Sequence, residues 1–384
     1  MKLAILLTRT SQLPHFEGTI RAAAARGHEV VLLLDASLRG GPKGDQAPDA
    51  TLLPPRFQIC IVRELDDSRA VPDALGREKP DALLYTHAPG LTPELMRSDG
   101  WGGVVARLQA DWSTLMGLAP AEVAGLTRVY GFTPHWIRWW ADWHNAIPSI
   151  LEDRFCAVGM PLAEHLTWIE PKDVRRRLDL PDGQPFVVYL QFPADTLPWG
   201  WWTHGVYGGR WPGVATERAV ARRIRIWCNR EDMLLVVKAR RKNPVGRWLE
   251  ALADRVVYDE PGEPGALGLL AGGPLALVHH LSFAAAEAVA AGVFAYCLSP
   301  QPPERIPAYA QRLRRPEFSA NPDSASLYRF TGCSAALTPR AFIDLLWDVR
   351  RPHPIDEQSR QAYLDQFVGP LDAGRRIVED LEKR

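Results

Sequence analysis

The sequence lacks the features that mark several common classes of protein. Its five cysteines are scattered and odd in number, with no Cys-x-x-Cys pair, so neither a disulfide framework nor a zinc site is indicated. No apolar run approaches the roughly 20 residues of a membrane helix, and the N-terminal run is short for a signal peptide. We therefore expect a cytoplasmic protein without a transmembrane segment, while peripheral contact with a membrane surface stays open.

Charge of one sign is also lacking. Lysine plus arginine equals aspartate plus glutamate, at 45 each, so no global field attracts nucleic acid, and none is expected as a partner. Asp-x-Asp and His-Glu-x-x-His motifs do not occur, and the loop after the first strand is not Gly-x-Gly-x-x-Gly. We expect no metal site, no resident cofactor and no nicotinamide-dependent dehydrogenase. The sequence gives no oligomeric state.

The chain has the length and apolar content for two domains. It has 384 residues, of which 46% are hydrophobic, more than one core usually holds. Continuous apolar runs alternate with helix-length spacers, a pattern typical of parallel sheets covered on both faces. The sequence predicts an α/β protein of two doubly wound, Rossmann-like domains facing a cleft. The expected divisions are residues 1–165, residues 184–355, and C-terminal helices in residues 356–384 that could pack back on the first domain.

Residues 275–300 form the most informative segment. A short apolar run leads to the polar stretch His279-His280-Leu281-Ser282, then to a small-residue helix with one carboxylate, Glu287, and then to a second apolar run. Such a unit places its polar groups where a strand ends and a helix starts, which is where open parallel sheets bind ligands. A glutamate in an otherwise Ala/Val helix indicates that something polar faces it.

A basic run follows another predicted strand, residues 233–238. Lys238, Arg240 and Arg241 come at its carboxyl end, and their cations suit the oxygens of a nucleoside diphosphate. A solvated basic loop is the alternative interpretation of this run.

Residues 279–293 (HHLSFAAAEAVAAGV) resemble the donor-binding signature of the two-domain glycosyltransferases of the GT-B fold. Nucleotide-sugar 2-epimerases and CDP-glycerol polymerising transferases are related and share that layout. Residues 236–244 (VVKARRKNP) are similar to the strand and basic loop that precede the signature, and residues 156–161 (CAVGMP) resemble the segment that often closes the first domain.

The resemblance implies roles for individual residues. Glu287 would bind ribose hydroxyls, and His279 and Ser282 would face the diphosphate, with His280 a weaker candidate. His15, in the loop after the first strand, would be the catalytic base, and Asp111 would fix its tautomer and stabilise the imidazolium. A loop histidine without a catalytic role is the alternative for His15.

Fourteen tryptophans fall largely into two clusters. Trp136, Trp139, Trp140 and Trp143 have helical spacing, which favours packing in a core or between domains. The second cluster lies in a Gly/Pro-rich stretch, LPWGWWTHGVYGGRWPG, which is not typical of a helix. We interpret it as a substrate loop, with structural packing and membrane contact as alternatives. Its candidate ligand-binding residues are Trp201, Trp202, His204 and Arg210.

These observations give three functional hypotheses. The first is a metal-independent glycosyltransferase that moves a sugar from a nucleotide-sugar donor to a hydroxyl acceptor, in glycoconjugate or surface polysaccharide synthesis. The second is a nucleotide-sugar 2-epimerase, and the third is a non-catalytic nucleotide-sugar-binding protein.

Overall fold

The computed structural model describes most of the chain. The described residues are 1–39, 47–88, 90–97, 100–111, 114–115, 117–146, 148–191, 214–240, 244–258, 265–280, 282–299, 327–352 and 354–384. They divide into two compact units. The first unit comprises Met1–Thr167 and Gln366–Arg384, and the second comprises the described residues between Trp168 and Asp365.

The first unit is built on a seven-stranded sheet. Its strands are β1 (Lys2–Leu7), β2 (Glu29–Asp35), β3 (Ile61–Leu65), β4 (Ala82–Tyr85), β5 (Val104–Leu108), β6 (Arg128–Gly131) and β7 (Phe155–Ala157). The strand order is β3-β2-β1-β4-β5-β6-β7, and neighbouring strands run parallel. The order reverses between β1 and β4, so this pair forms the topological switch point of the sheet.

The helices of the first unit follow its strands. They are α1 (Leu13–Ala25), α2 (Val71–Glu78), α3 (Pro93–Met96), α4 (Pro120–Gly125), α5 (Pro134–His144), α6 (Pro148–Arg154) and, at the end of the chain, α14 (Ala373–Leu381). Helix α14 packs on α1 through Ile377, Val378 and Leu381, which join the same core as Phe16 and Ile20. Their spacing of three and four residues puts them on one face of the helix.

The second unit is built on a six-stranded sheet. Its strands are β8 (Phe186–Leu190), β9 (Leu234–Ala239), β10 (Arg255–Tyr258), β11 (Ala276–His279), β12 (Phe294–Leu298) and β13 (Ser334–Leu337). Neighbours are again parallel, in the order β10-β9-β8-β11-β12-β13, so the switch point lies between β8 and β11. The interiors of both sheets are apolar, as continuous strands covered on both faces require.

Its helices are α7 (Pro171–Arg177), α8 (Val214–Arg230), α9 (Arg247–Glu250), α10 (Leu267–Leu270), α11 (Ala284–Ala290), α12 (Pro339–Asp348) and α13 (Glu357–Tyr363). Helix α8 buries an apolar stripe that includes Val220, Ile224 and Trp227, and it packs on α12 through Phe342 and Leu346. The expected α/β class with two Rossmann-like domains is confirmed.

Candidate functional site

Each sheet carries a polar cluster at its carboxyl edge. In the second unit, Gln191 follows β8, Lys238 and Arg240 lie in and just after β9, and His279 ends β11. The Gln191 amide donates a hydrogen bond to the Lys238 carbonyl at 3.0 Å, which joins the ends of β8 and β9. Polar side chains at this switch point occupy the place where doubly wound sheets bind ligands.

Lys238 and Glu287 are charged residues with little exposure. Lys238 is 9% exposed in β9, and Glu287 is 8% exposed within α11. Lys238 therefore belongs to the strand rather than to a solvated loop, whereas Arg240 is exposed. Burying a charge is costly unless it is paired or meets a ligand, so these two positions need a polar environment. Arg241 lies outside the described residues.

His279 is fully buried, and its hydrogen bonding fixes its tautomer. Nδ1 accepts a hydrogen bond from the Ser282 amide at 3.1 Å, so the ring proton sits on Nε2. Nε2 has no hydrogen-bond partner among the described residues. Burial, and then the charge of His280, lower the His279 pKa to about 3, so the ring is neutral at physiological pH. His279 thus presents a neutral N–H donor rather than a cation.

Ser282 lies just before helix α11. Its Oγ accepts a hydrogen bond from the Ala284 amide at 3.3 Å, and its carbonyl accepts one from Ala285 at 3.2 Å. The sequence predicts a helix from Ser282 to residue 291, but the structure begins it at Ala284 and ends it at Ala290. Ser282 therefore lies outside the helix, one residue before its N-cap Phe283, and its hydroxyl proton remains a donor for another group.

His280 forms a buried network that the sequence did not predict. Its Nε2 lies 3.1 Å from Glu217 Oε2 and 3.2 Å from the Tyr189 hydroxyl, which donates to Glu217 Oε1. The side chains of His280 and Glu217 are 3% and 1% exposed. A signal was present in the sequence, because Glu217 occupies the apolar stripe of α8 with Val220 and Ile224.

In the first unit, His15 lies in the first turn of α1. The sequence predicts this helix from residue 17, but it starts at Leu13, with Pro14 in a first-turn position that proline tolerates. His15 Nδ1 is enclosed and has no hydrogen-bond partner among the described residues. Burial lowers the His15 pKa to about 4, while the charge of Asp111 raises it and that of His165 lowers it further.

Asp111 acts on His15 through its charge, which raises the His15 pKa. The Asp111 side chain is half-buried after β5, and its Oδ1 accepts a hydrogen bond from the Thr114 amide at 2.8 Å. The Thr114 hydroxyl donates to the Asp111 carbonyl at 2.8 Å and accepts from the Ala110 amide at 2.9 Å. This tight turn holds the carboxylate at the carboxyl edge of the sheet.

His87 belongs to the same edge and was missed from the sequence. It follows β4, and its carbonyl accepts a hydrogen bond from the Thr8 hydroxyl at 3.1 Å, which ties the ends of β1 and β4. Burial, then the charges of Arg107 and Arg9, lower the His87 pKa. A histidine two residues past an apolar strand is the signal that could have indicated it.

A second buried network of polar contacts holds the first turns of α1. His165 Nε2 donates to the Pro14 carbonyl at 2.8 Å, and His165 Nδ1 lies 3.9 Å from Glu17 Oε2. Glu17 also pairs with Arg21 at 2.8 Å and with Arg56 at 3.0 Å. The first turn of α1, which carries His15, is therefore held by polar contacts as well as by the core.

Two of the four tryptophans in the first cluster pack in the core of the first unit, one of the two alternatives stated for the cluster, and Trp139 is half-buried. Trp136 and Trp140 in α5 are fully buried, and their Nε1 groups donate to the Phe367 carbonyl at 2.9 Å and the Leu118 carbonyl at 2.8 Å. Trp143 is 37% exposed. The second cluster, with Trp201, Trp202, His204 and Arg210, lies outside the described residues.

The described residues also bear on other classes of site. Within these ranges, no group of three or more His, Cys, Asp or Glu side chains is arranged to hold a metal ion. None of the helices in the described part of the chain has the length and apolarity needed to cross a bilayer.

Comparisons with known proteins reveal a shared fold. No family model and no curated protein matches the sequence. UDP-GlcNAc 2-epimerase from Methanocaldococcus jannaschii is similar over 100% of both chains, with a TM-score of 0.57 and 12% identity. Its complex with UDP-GlcNAc and UDP also matches over 100% of both chains, with a TM-score of 0.54 and 13% identity.

The wall teichoic acid polymerase TagF is similar over 100% of this chain and 88% of its own, with a TM-score of 0.57 and 8% identity. These likenesses show that the chain has the GT-B fold of two Rossmann-like domains. The resemblance stated from residues 279–293 is confirmed at the level of the fold.

Proposed function

We propose that the chain is a glycosyltransferase of the GT-B type, which moves a sugar from a nucleotide-activated donor to a hydroxyl acceptor. The observation that carries the proposal is the cluster at the carboxyl edge of the second sheet. A nearly buried cation, Lys238, a nearly buried carboxylate, Glu287, and a buried N–H donor, His279, lie at or beside its switch point. A nucleoside diphosphate offers matching groups: anionic phosphates and ribose hydroxyls.

In this proposal each donor-binding residue has a defined part. The Glu287 carboxylate accepts hydrogen bonds from the ribose hydroxyls. Lys238, Arg240 and Arg241 compensate the charge of the diphosphate, including the charge that develops as it leaves, without a metal ion. His279 Nε2 and the Ser282 hydroxyl donate neutral hydrogen bonds to phosphate oxygens.

His15 is the proposed base. A base must be neutral to accept the proton of the acceptor hydroxyl, and burial keeps the His15 pKa at about 4, so the ring is neutral at physiological pH. An imidazole that is partly removed from water accepts a proton poorly without a counter-charge. Asp111 supplies one, since its carboxylate favours the imidazolium that forms during transfer. The second tryptophan cluster, with Trp201, Trp202, His204 and Arg210, is proposed to contact substrate.

We assign the proposed reaction to the cytoplasm. It would serve the synthesis of glycoconjugates or surface polysaccharides. The five cysteines are free thiols, which agrees with a reducing compartment. Peripheral contact with a membrane is compatible with this placement. TagF, which is named as a wall teichoic acid polymerase, supports the choice of polymer synthesis.

A nucleotide-sugar 2-epimerase is the second candidate. The observation that favours it is the likeness to UDP-GlcNAc 2-epimerase, which covers 100% of both chains, whereas 88% of TagF is covered. An epimerase would use the same donor-binding residues but would return a sugar that is still attached to its nucleotide. A non-catalytic nucleotide-sugar-binding protein would bind the same compounds and leave them unchanged.

Product analysis separates these candidates. The protein is incubated with UDP-, GDP-, CDP- and dTDP-activated sugars and mixed hydroxyl acceptors, and the products are followed by chromatography and mass spectrometry. The proposal predicts free nucleotide together with a new glycoside. An epimeric nucleotide sugar without free nucleotide would support the epimerase. Binding with neither product would contradict both enzymatic candidates.

Two variants assign the parts of the site. His15→Gln should lower kcat by about 100-fold or more while the donor Kd stays unchanged, because a general base contributes about 100- to 10,000-fold. Lys238→Met should weaken binding of the donor, whose diphosphate Lys238 is proposed to contact. It should weaken binding of the nucleoside much less, because a nucleoside has no phosphate. Glu357→Gln, an exposed change in α13, is the control and should alter neither quantity.

A further inference from the structure

Arg107 is a buried cation of the first sheet, one residue before the carboxyl end of its strand. It lies in β5 and is 6% exposed, although the strand around it is apolar. Its Nε donates to the Thr86 carbonyl at 2.9 Å, its Nη2 donates to the Thr114 carbonyl at 3.2 Å, and its Nη1 pairs with the Glu122 carboxylate. Burying a guanidinium is costly unless its nitrogens have partners, and here each of the three has one.

The acceptors of Arg107 belong to different loops. Thr86 lies after β4, immediately before His87, and Thr114 closes the turn after β5 that carries Asp111. One planar group therefore joins the loop after β4 to the turn that carries Asp111. The Thr114 amide and hydroxyl both donate hydrogen bonds to Asp111. A shift of Thr114 would therefore also move the Asp111 carboxylate.

We propose that Arg107 is a positioning residue, whose guanidinium joins the loops after β4 and β5 and so holds Asp111 where its charge acts on His15. The role rests on the proposed function of His15 as the base. Arginine is required because its fixed fork reaches two carbonyls and a carboxylate at once. A lysine keeps the charge but offers one compact group on a flexible stem.

The electrostatics of the cluster agree with this arrangement. Asp111 raises the pKa of His15, so it lies near enough to act on the ring. Both Asp111 and Arg107 act on His87 as well, Asp111 raising and Arg107 lowering its pKa, after the larger effect of burial. Arg107 therefore stands within the same set of charges rather than in a remote part of the core.

The test follows the His15 pKa directly, without any substrate. The full chain with labelled histidines is titrated by NMR from neutral pH down to the loss of the fold, and His15→Gln assigns the signal. Asp111→Asn should lower the His15 pKa by about one unit, because an opposite charge is lost. Arg107→Lys should also lower the His15 pKa. The variant that combines Asp111→Asn with Arg107→Lys should lower the pKa no further than the larger of the two single changes.

The matched control is Arg97, a second arginine of the first unit whose side chain donates hydrogen bonds to two separate residues. Arg97 donates to the Gly125 carbonyl at 3.0 Å and to the Thr127 hydroxyl at 3.3 Å, and neither acceptor belongs to the turn that carries Asp111. Arg97→Lys should leave the His15 pKa unchanged. If Arg107→Lys also leaves it unchanged while Asp111→Asn lowers it, Arg107 does not position Asp111 and the inference is wrong.

Kinetics provide a second readout. Arg107→Lys should lower kcat about tenfold with the donor Kd kept, and combining it with Asp111→Asn should cost no more than the larger single change, since residues that act as a unit are not additive. Additive losses in kcat would contradict the inference. The proposed function can fail separately: a protein without transferase activity that still shows the NMR coupling retains the Arg107–Asp111–His15 arrangement but not the base role.

Discussion

Gly374 in the last helix lies directly against Gly18 in α1. A Cβ added at Gly374 would stand 2.1 Å from the carbonyl carbon of Gly18, and a Cβ added at Gly18 would stand 2.2 Å from Glu164 Oε2. The Gly374 amide donates to that same oxygen at 2.8 Å. Helix α14 thus packs directly on α1, the helix that carries His15, and the Glu164 carboxyl group contacts both helices.

Gly374→Ala should destabilise the protein. Alanine favours a helix by about 1 kcal/mol over glycine, but the new methyl meets backbone, which cannot rotate away. We expect a net loss of about 2 kcal/mol in the free energy of unfolding, measured by urea denaturation. Gly102→Ala is the control, because nothing lies within 4 Å of its added Cβ. A Gly374→Ala variant as stable as the wild type would show that the two helices are less tightly packed.

Glu164 should make stability depend on pH. Burial raises its pKa from 4.5 to about 7, and the Gly374 hydrogen bond lowers it by a smaller amount. The folded chain therefore retains a proton that the unfolded chain loses, so stability falls as pH rises from about 4.5 to about 7. The full loss is about 3 kcal/mol, at about 1.4 kcal/mol per pKa unit.

Glu164→Gln removes this titration. The variant should be more stable than the wild type at pH values above about 7, and its advantage should shrink as the pH approaches about 4.5. Urea unfolding at several pH values measures the difference. Glu379→Gln, a partly exposed change on α14, should keep the wild-type pH dependence. If Glu164→Gln is less stable at every pH, the carboxyl group is charged in the folded protein and the assignment fails.

Glu217 should contribute to stability mainly through His280. Glu217→Gln keeps the shape of the side chain but removes the charge that faces the buried imidazole, and we expect a loss of about 1–3 kcal/mol. The exposed pair of Glu357 and Arg360 provides the comparison, because Glu357→Gln should cost under about 1 kcal/mol. A double-mutant cycle with His280→Asn measures the coupling, and a coupling energy near zero would mean that the two residues act independently.

The sequence predicts strands better than helix starts, for a physical reason. The sequence predicts strands over residues 104–108 and 255–258, and the structure has strands at Val104–Leu108 and Arg255–Tyr258, since short apolar runs between turns have few alternatives. The sequence predicts the start of α1 too late because the residue before the helix, Gln12, makes no side-chain cap. The strand β11 was ended too early, because His279 is polar in sequence yet buried through its bond to the Ser282 amide.

The candidate site was predicted only where local sequence carries the signal. Glu287 and Lys238 were singled out as charges within or after apolar segments, and both are nearly buried. Arg107 carried the same signal and was overlooked. The pairing of Glu217 with His280 depends on residues 63 positions apart, and that contact requires the folded sheet.

The central claim is that a nucleotide-activated donor binds at the carboxyl edge of the second sheet, with Glu287 on its ribose. The most direct measurement compares the Kd of the tightest-binding nucleoside diphosphate with that of its 2′,3′-dideoxy form, in the wild type and in Glu287→Gln. Removal of the hydroxyls should weaken nucleotide binding to the wild type by about tenfold or more, and it should weaken binding to the variant little. Equal discrimination by both proteins, or no binding of any nucleotide, would contradict the account.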